Sequence, residues 1–324
     1  MTLAIGVDVG GTKILAAVVD TDDPTRFVRA HKVPTPSGTG AVEAIDTVVH
    51  QLLDEVGTDR RSVAGVGVGL PGLVADDGTL FGATHVPGLV GLPLRTTLAT
   101  SIGLPVTIDN DANCAAWAEV SCGVGRGESE VLVVTLGTGI GGGLVIGGAL
   151  RHGAHGAAGE PGHMVVDPAG PPCQCGRQGC WEQFASGNGL GRLGQVAASR
   201  GDAPGLVVRA GSADAVRGEH VVAAARDGDP GARAVLDDFA RWLGLGLTNL
   251  VTLLDPSLVI VGGGLADVAD LYLDGARQVM LAQVLGGPTR PPARLEAATL
   301  GSDAGAIGAA LRAVPAPLPP FATR

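Results

Sequence analysis

Two stretches of this chain share one plan, and that repeat limits the folds open to it. The first reads Leu3-Ala-Ile-Gly-Val-Asp8-Val-Gly10-Gly11-Thr12-Lys13-Ile-Leu-Ala-Ala-Val-Val-Asp20. It is an apolar strand, a Gly-Gly-Thr turn and a second apolar strand. The second reads Val131-Leu-Val-Val-Thr135-Leu-Gly137-Thr138-Gly139-Ile-Gly-Gly-Gly-Leu-Val-Ile, and it matches on both sides when Gly137 is set on Gly10. Two copies of one hairpin predict two related α/β domains that face each other across a cleft. The run Val131 to Leu150 carries no charge and has the length of a membrane span. Its glycine-dense centre and short β-branched ends fit two strands and a turn instead.

Glycine-rich turns let backbone N–H groups approach an anion closely. Thr12 and Thr138 add hydroxyl donors, and Asp8 has the charge to meet a Mg²⁺ riding on a phosphate. A third turn, Gly262-Gly263-Gly264, ends the strand Ser257-Leu-Val-Ile-Val and precedes an apparent helix. It suits contact with a nucleotide's base or ribose. In a chain with 53 glycines any one of these turns, taken alone, is more often a plain hairpin. Together they predict nucleotide phosphates, although none has P-loop spacing.

The segment Ile108-Asp109-Asn110-Asp111-Ala112-Asn113 stands between a short strand and an Ala-rich helix. Asn110 or Asp111 is placed to cap that helix. Two carboxylates and two amides in five residues exceed what a cap needs, and at a strand's C-terminal end they would face a cleft. The positive helix end keeps Asp111 ionised and fit to take a proton from an alcohol.

Three of five cysteines fall in Cys173-Gln-Cys175-Gly-Arg-Gln-Gly-Cys180, with His163 just upstream. Three thiolates and an imidazole make a closed tetrahedral zinc site with no open position for an activated water. The alternatives are a disulfide or buried thiols; an odd cysteine count and a strained Cys173–Cys175 bridge argue against the first. Cys114 and Cys122 read as core residues. Glu160 and Glu182 flank the knuckle, either as solvated loop charge or as carboxylates aimed at the vicinal hydroxyls of a sugar.

The net charge of −10 and the absence of a basic cluster exclude nucleic acid and anionic membrane as expected partners. No signal-peptide layout is present at the N-terminus, so a cytoplasmic protein is expected, where thiols stay reduced.

Asp8-x-Gly-Gly-Thr-Lys13, Leu136-Gly-Thr-Gly-Ile-Gly-Gly-Gly143, Glu160-x-Gly-His163 and Cys173-x-Cys-Gly-x-x-Gly-Cys-x-Glu182 resemble the ROK family of repressors and sugar kinases. The resemblance runs from residue 3 to about residue 312 and is strongest to the family's ATP-dependent bacterial glucokinases. It implies the actin-like, ribonuclease-H-like fold of two α/β domains. It implies ATP-dependent phosphorylation of glucose, with Asp111 as the base. It implies sugar contacts from Gly72, Asn110, Asp111, Glu160, His163 and Glu182, and one structural Zn²⁺ on His163, Cys173, Cys175 and Cys180. ATP, with Mg²⁺, falls to Asp8, Gly10, Gly11, Thr12, Lys13, Gly137, Thr138, Gly139, Gly262, Gly263 and Gly264, and ADP leaves. Kinases of N-acetylmannosamine, N-acetylglucosamine or fructose are the alternatives. A sugar-responsive repressor is disfavoured, since no helix-turn-helix precedes the first hairpin. An actin-like or chaperone ATPase would not need the knuckle.

The expected domains are residues 1–118 and 119–302, with a final helix at about 303–313 packing back on the first. A homo-oligomer, dimer or tetramer, is expected. The tail from Pro315 reads as loose, and residues 203–216 carry no clear signal.

Overall fold

A computed structural model describes residues 2–57, 62–83 and 85–314, so the tail from Pro315 lies outside the described residues. The first hairpin forms as expected, from β1 (Leu3–Val9) and β2 (Lys13–Asp20). A third strand, β3 (Phe27–Pro34), extends the meander, and α1 (Gly40–Glu55) follows. Next come β4 (Val63–Leu70), β5 (Leu73–Val74), β6 (Leu80–Gly82), α2 (Leu94–Ile102), β7 (Val106–Asn110) and α3 (Asp111–Cys122). The first sheet has the order β3-β2-β1-β4-β7; β2 is antiparallel to β1 and β3, while β4 is parallel to β1 and β7.

The second hairpin repeats the first. Its strands are β8 (Val131–Leu136) and β9 (Ile140–Ile146), followed by β10 (Ala149–Leu150). Both hairpins have three turn residues, Gly10–Thr12 and Gly137–Gly139. After the knuckle come α4 (Glu182–Ala185), α5 (Gly187–Arg200), α6 (Pro204–Ala210), α7 (Gly218–Arg226) and α8 (Pro230–Leu254). Then follow β11 (Leu258–Gly262), α9 (Leu273–Gln283), β12 (Arg294–Ala297) and α10 (Ala304–Ala313). The second sheet runs β10-β9-β8-β11-β12, so third, second, first, fourth and fifth strands lie side by side as they do in the first sheet. That shared strand order is the ribonuclease-H-like arrangement, present twice. The helix expected after Gly264 is instead a run of 3-10 turns, Gly264–Leu271, kinked at Val268.

Packing divides the chain into two units. Of the described residues, one holds those up to 133, 143–159 and 299–314; the other holds residues 134–142 and 160–298. Thus β8 and β9 each contribute to both, and α10 belongs with the first sheet.

Strand parity sets the layers of the first unit. Leu3, Ile5, Val7 and Val9 point to one face, where Ile45, Val48, Val49 and Leu52 of α1 and Leu94, Leu98 and Ile102 of α2 cover them. Ala4, Gly6 and Asp8 point to the other face, against the Ala/Gly-rich α10. The approach there is very close: a Cβ on Gly6 would overlap the carbonyl oxygen of Ala306, and one on Gly67 that of Ala309. Only glycine fits. We expect Gly67→Val to cost about 3 kcal/mol of stability through overpacking, measured as a lowered urea midpoint at unchanged slope.

Candidate functional site

The acid segment lies where β7 gives way to α3. Asn110 is the helix cap: its Oδ1 accepts from the Asn113 N–H at 2.9 Å, and its Nδ2 donates to the Gly72 carbonyl at 3.0 Å. Asp111 is the first helical residue and is half-buried, and its Oδ1 accepts from the Ala112 N–H at 2.8 Å. The structure therefore brings Gly72, Asn110 and Asp111 together.

Asp109 behaves differently from the expectation that the whole segment faces a cleft. Its position opposite Gly69 in the sheet turns it to the α10 side, where it is only 4% exposed. Oδ1 accepts from the Asn110 N–H at 2.8 Å and from Asn113 Nδ2 at 3.2 Å. Oδ2 takes His152 Nε2 at 3.0 Å and Arg312 Nε at 3.2 Å. Burial pushes this carboxyl up, but the hydrogen bond and charge of His152, then Arg312 and the Asn110 amide, hold it below the usual carboxylate range. Strand parity could have placed Asp109 inward; nothing in the sequence singles out His152 or Arg312 as its partners.

Asp8 lies beside the first turn and against Gly305 of α10. Burial raises its pKa to about 6 against the pull of Lys13. Below about pH 3 it is protonated whether the chain is folded or not; as pH rises toward 6 the unfolded chain ionises first and stability falls. Asp8→Asn should therefore gain about 3 kcal/mol at pH 8 and nothing at pH 3, read by denaturant titration at both values. Gly10 N–H donates to the Lys13 carbonyl at 2.8 Å, and Thr35 Oγ1 donates to the Gly10 carbonyl at 2.7 Å, which fixes the turn from both sides.

In the second unit the knuckle forms from two short bridges, Val165 with Cys180 and Pro172 with Gln178. Ligand atoms of His163, Cys173, Cys175 and Cys180 all lie within 4.8 Å of one another. Cys175 and Cys180 Sγ are 3.6 Å apart, and Cys173 Sγ is 3.7 Å from His163 Nδ1. Bonds of about 2.3 Å to sulfur and about 2.1 Å to nitrogen give tetrahedral edges of about 3.5–3.8 Å, so the spacing fits zinc. All five cysteines are free thiols. Desolvation pushes Cys175 up, but hydrogen bonds from Arg177 and the Cys173 and Cys180 thiols draw it down to about 6, while burial and the Cys175 and Cys173 sulfurs push Cys180 up to about 12. Three sulfurs this close ionise together only around a cation.

Glu182 joins the knuckle to the second turn. Its Oε2 accepts from the Ile140 N–H at 3.1 Å, and a Cβ on Gly139 would overlap that same oxygen. Its Oε1 is 3.8 Å from Cys173 Sγ. The Gly137 carbonyl accepts from Gly187 N–H at 2.8 Å, and Gly263 packs on the Leu136 backbone, so the second and third turns are neighbours. Glu160 precedes the 3-10 turn Pro161–His163; burial raises its pKa, with His163 opposing and Glu182 adding to the rise. Glu160, His163 and Glu182 are thus brought together, as are Gly137–Gly139 with Gly262–Gly264. Asp8 and Gly10–Lys13, with Gly72, Asn110 and Asp111, lie in the other unit.

Among the described residues, no helix is long and apolar enough to cross a membrane.

Comparison with known proteins places this arrangement. A glucokinase of Streptomyces coelicolor is 43% identical over 314 residues, 96% of this chain and 97% of the relative. An N-acetyl-D-glucosamine kinase of Erwinia tasmaniensis is 35% identical over 94% of this chain and 97% of its own length. The crystal structure of a ROK family glucokinase from Streptomyces griseus, in complex with glucose and AMPPNP, superposes with a TM-score of 0.84 at 44% identity, covering 96% of this chain and 98% of that one. The ROK family model matches residues 4–314. With its doubled actin-like fold and its cysteine knuckle, the chain belongs to the ROK family.

Proposed function

We propose that this protein transfers the γ-phosphoryl group of ATP to the 6-hydroxyl of glucose, releasing ADP and glucose 6-phosphate. The observation that carries this reading is the acid segment: Asp111 stands at the first residue of α3, next to an Asn110 whose amide is fixed at both ends. A relative 44% identical across 96% of the chain holds glucose and AMPPNP, which supports both substrates.

In this reading Asp111 takes the hydroxyl proton as the sugar oxygen bonds to the γ-phosphorus and the bond to the ADP oxygen breaks. Asn110, Glu160, His163 and Glu182 hold the sugar hydroxyls, with Gly72 beside them. The turns at Gly10–Lys13 and Gly137–Gly139 orient the phosphates, and Gly262–Gly264 meets the nucleoside. Acceleration comes from positioning and electrostatics. Mg²⁺ bound with the nucleotide would offset charge on the phosphate oxygens, and Asp8 is the carboxylate that would reach it through water. Zinc would be held by His163 Nδ1 and the three sulfurs, leaving Nε2 for a hydroxyl; a site filled by four protein ligands is structural. We place the protein in the cytoplasm, where the three thiols stay reduced, as a dimer or tetramer.

A second reading, phosphorylation of an amino sugar, is favoured by the relative from Erwinia tasmaniensis. One pair of hydrogen bonds in the pocket decides between such sugars. Purified protein assayed on glucose, fructose, N-acetylglucosamine and N-acetylmannosamine, each with ATP and with polyphosphate, tests both. Glucose with ATP should give the highest kcat/KM; turnover of another sugar with glucose inert would overturn the assignment.

A further inference from the structure

We infer that His152 is a positioning residue for the acid segment, acting through Asp109; the inference rests on the reading of Asn110 and Asp111 just given. His152 stands at the base of a loop. Its backbone carbonyl accepts from the Ala158 N–H at 3.0 Å, which closes residues 152–158 on themselves. The loop rests on β5: at Gly156, with φ of 73°, a Cβ would overlap the Val74 carbonyl oxygen. The imidazole then reaches Asp109, with Nε2 at 3.1 and 3.0 Å from the two carboxylate oxygens. A carboxylate can only accept, so Nε2 carries the proton of this bond.

Asp109 passes the constraint on. Oδ1, which lies 3.1 Å from His152 Nε2, also accepts the Asn110 N–H at 2.8 Å and Asn113 Nδ2 at 3.2 Å. Asn113 N–H in turn donates to the Asn110 side chain that is fixed on Gly72. The chain of bonds from His152 thus ends on the backbone N–H and the side-chain amide of Asn110, the residue before Asp111. The Asp109 side chain is 5% exposed and that of His152 25%, so the charge-assisted bond between them is largely withdrawn from water. Removing the imidazole leaves a buried carboxylate with one fewer donor and frees it to rotate toward Arg312, drawing the Asn110 peptide with it.

The test compares His152→Ala, His152→Gln and Asp111→Asn with the parent, in the full chain. The alanine variant should lower kcat/KM for glucose about 10- to 100-fold while KM for ATP stays at the parental value, since no phosphate turn is touched. Glutamine, whose Nε2 can still donate to Asp109, should restore most of that loss. Parental kcat/KM in the alanine variant, or a glutamine variant as impaired as alanine, would overturn the inference. Should the alanine variant not fold, glutamine decides alone: near-parental kcat/KM for glucose supports the bond, and a 10-fold or greater loss refutes it. Asp111→Asn separates the two levels of the argument. If it keeps turnover, the reading of the acid segment itself fails, whatever the His152 variants do.

Discussion

Asp111→Asn lowers kcat for glucose phosphorylation by about 10²–10⁴-fold, with the fold and the metal content intact. The asparagine keeps the shape and the position at the start of α3, where the parent Oδ1 receives the Ala112 N–H. It cannot accept a proton from the attacking hydroxyl. Because the loss falls on the transition state, kcat and kcat/KM should drop together while KM for glucose changes little. Steady-state kinetics with a coupled ADP readout measures this, and circular dichroism checks the fold. A variant with near-parental kcat would remove Asp111 from the role of base.

The second large effect belongs to the knuckle. Cys175→Ser should lose the bound metal, about one zinc per chain in the parent by elemental analysis, and with it most of the affinity for sugar. The coupling runs through Glu182, which follows Cys180 by two residues, lies beside Cys173 Sγ and grips the Ile140 amide at the end of the second turn. When the sulfurs are no longer tied together, three near-neighbour thiols relax apart, and Glu182 and His163 lose their common frame. We expect kcat/KM for glucose to fall about 100-fold, with KM dominating. Full activity in protein shown to be metal-free would refute the supporting role.

The repeated hairpin was legible down to its turn length, because strand alternation and glycine placement are local signals. The gathering of the four knuckle residues was legible for the same reason: they lie within one short stretch, and their ligand atoms come within 4.8 Å of one another. What escaped is non-local. Asp109 read as one of two carboxylates facing a cleft, yet its partners His152 and Arg312 are 43 and 203 residues away. Glu119 gave no signal at all, although it is 1% exposed and its Oε1 accepts from the Thr299 and Leu300 N–H groups at 2.9 and 2.8 Å. Such bonds depend on which elements the topology brings side by side, and a single chain read in order carries no trace of that. The return of residues 143–159 to the first unit is hidden in the same way, since hydropathy marks strands but not the layer they join.

The place of α10 has a bearing on how the protein is made. The glycine-lined face of β1 and β4, and the carboxylates of Asp8 and Asp109, all receive their cover from residues 304–313. At a synthesis rate of about 5–20 residues per second, roughly 10–40 s pass between the emergence of Asn110 and that of α10. Throughout that interval the part of the first sheet that α10 covers, at Gly6 and Gly67, stays without its helix. It also keeps the acid segment without its Arg312 contact, so an unfinished chain has an incomplete setting for chemistry.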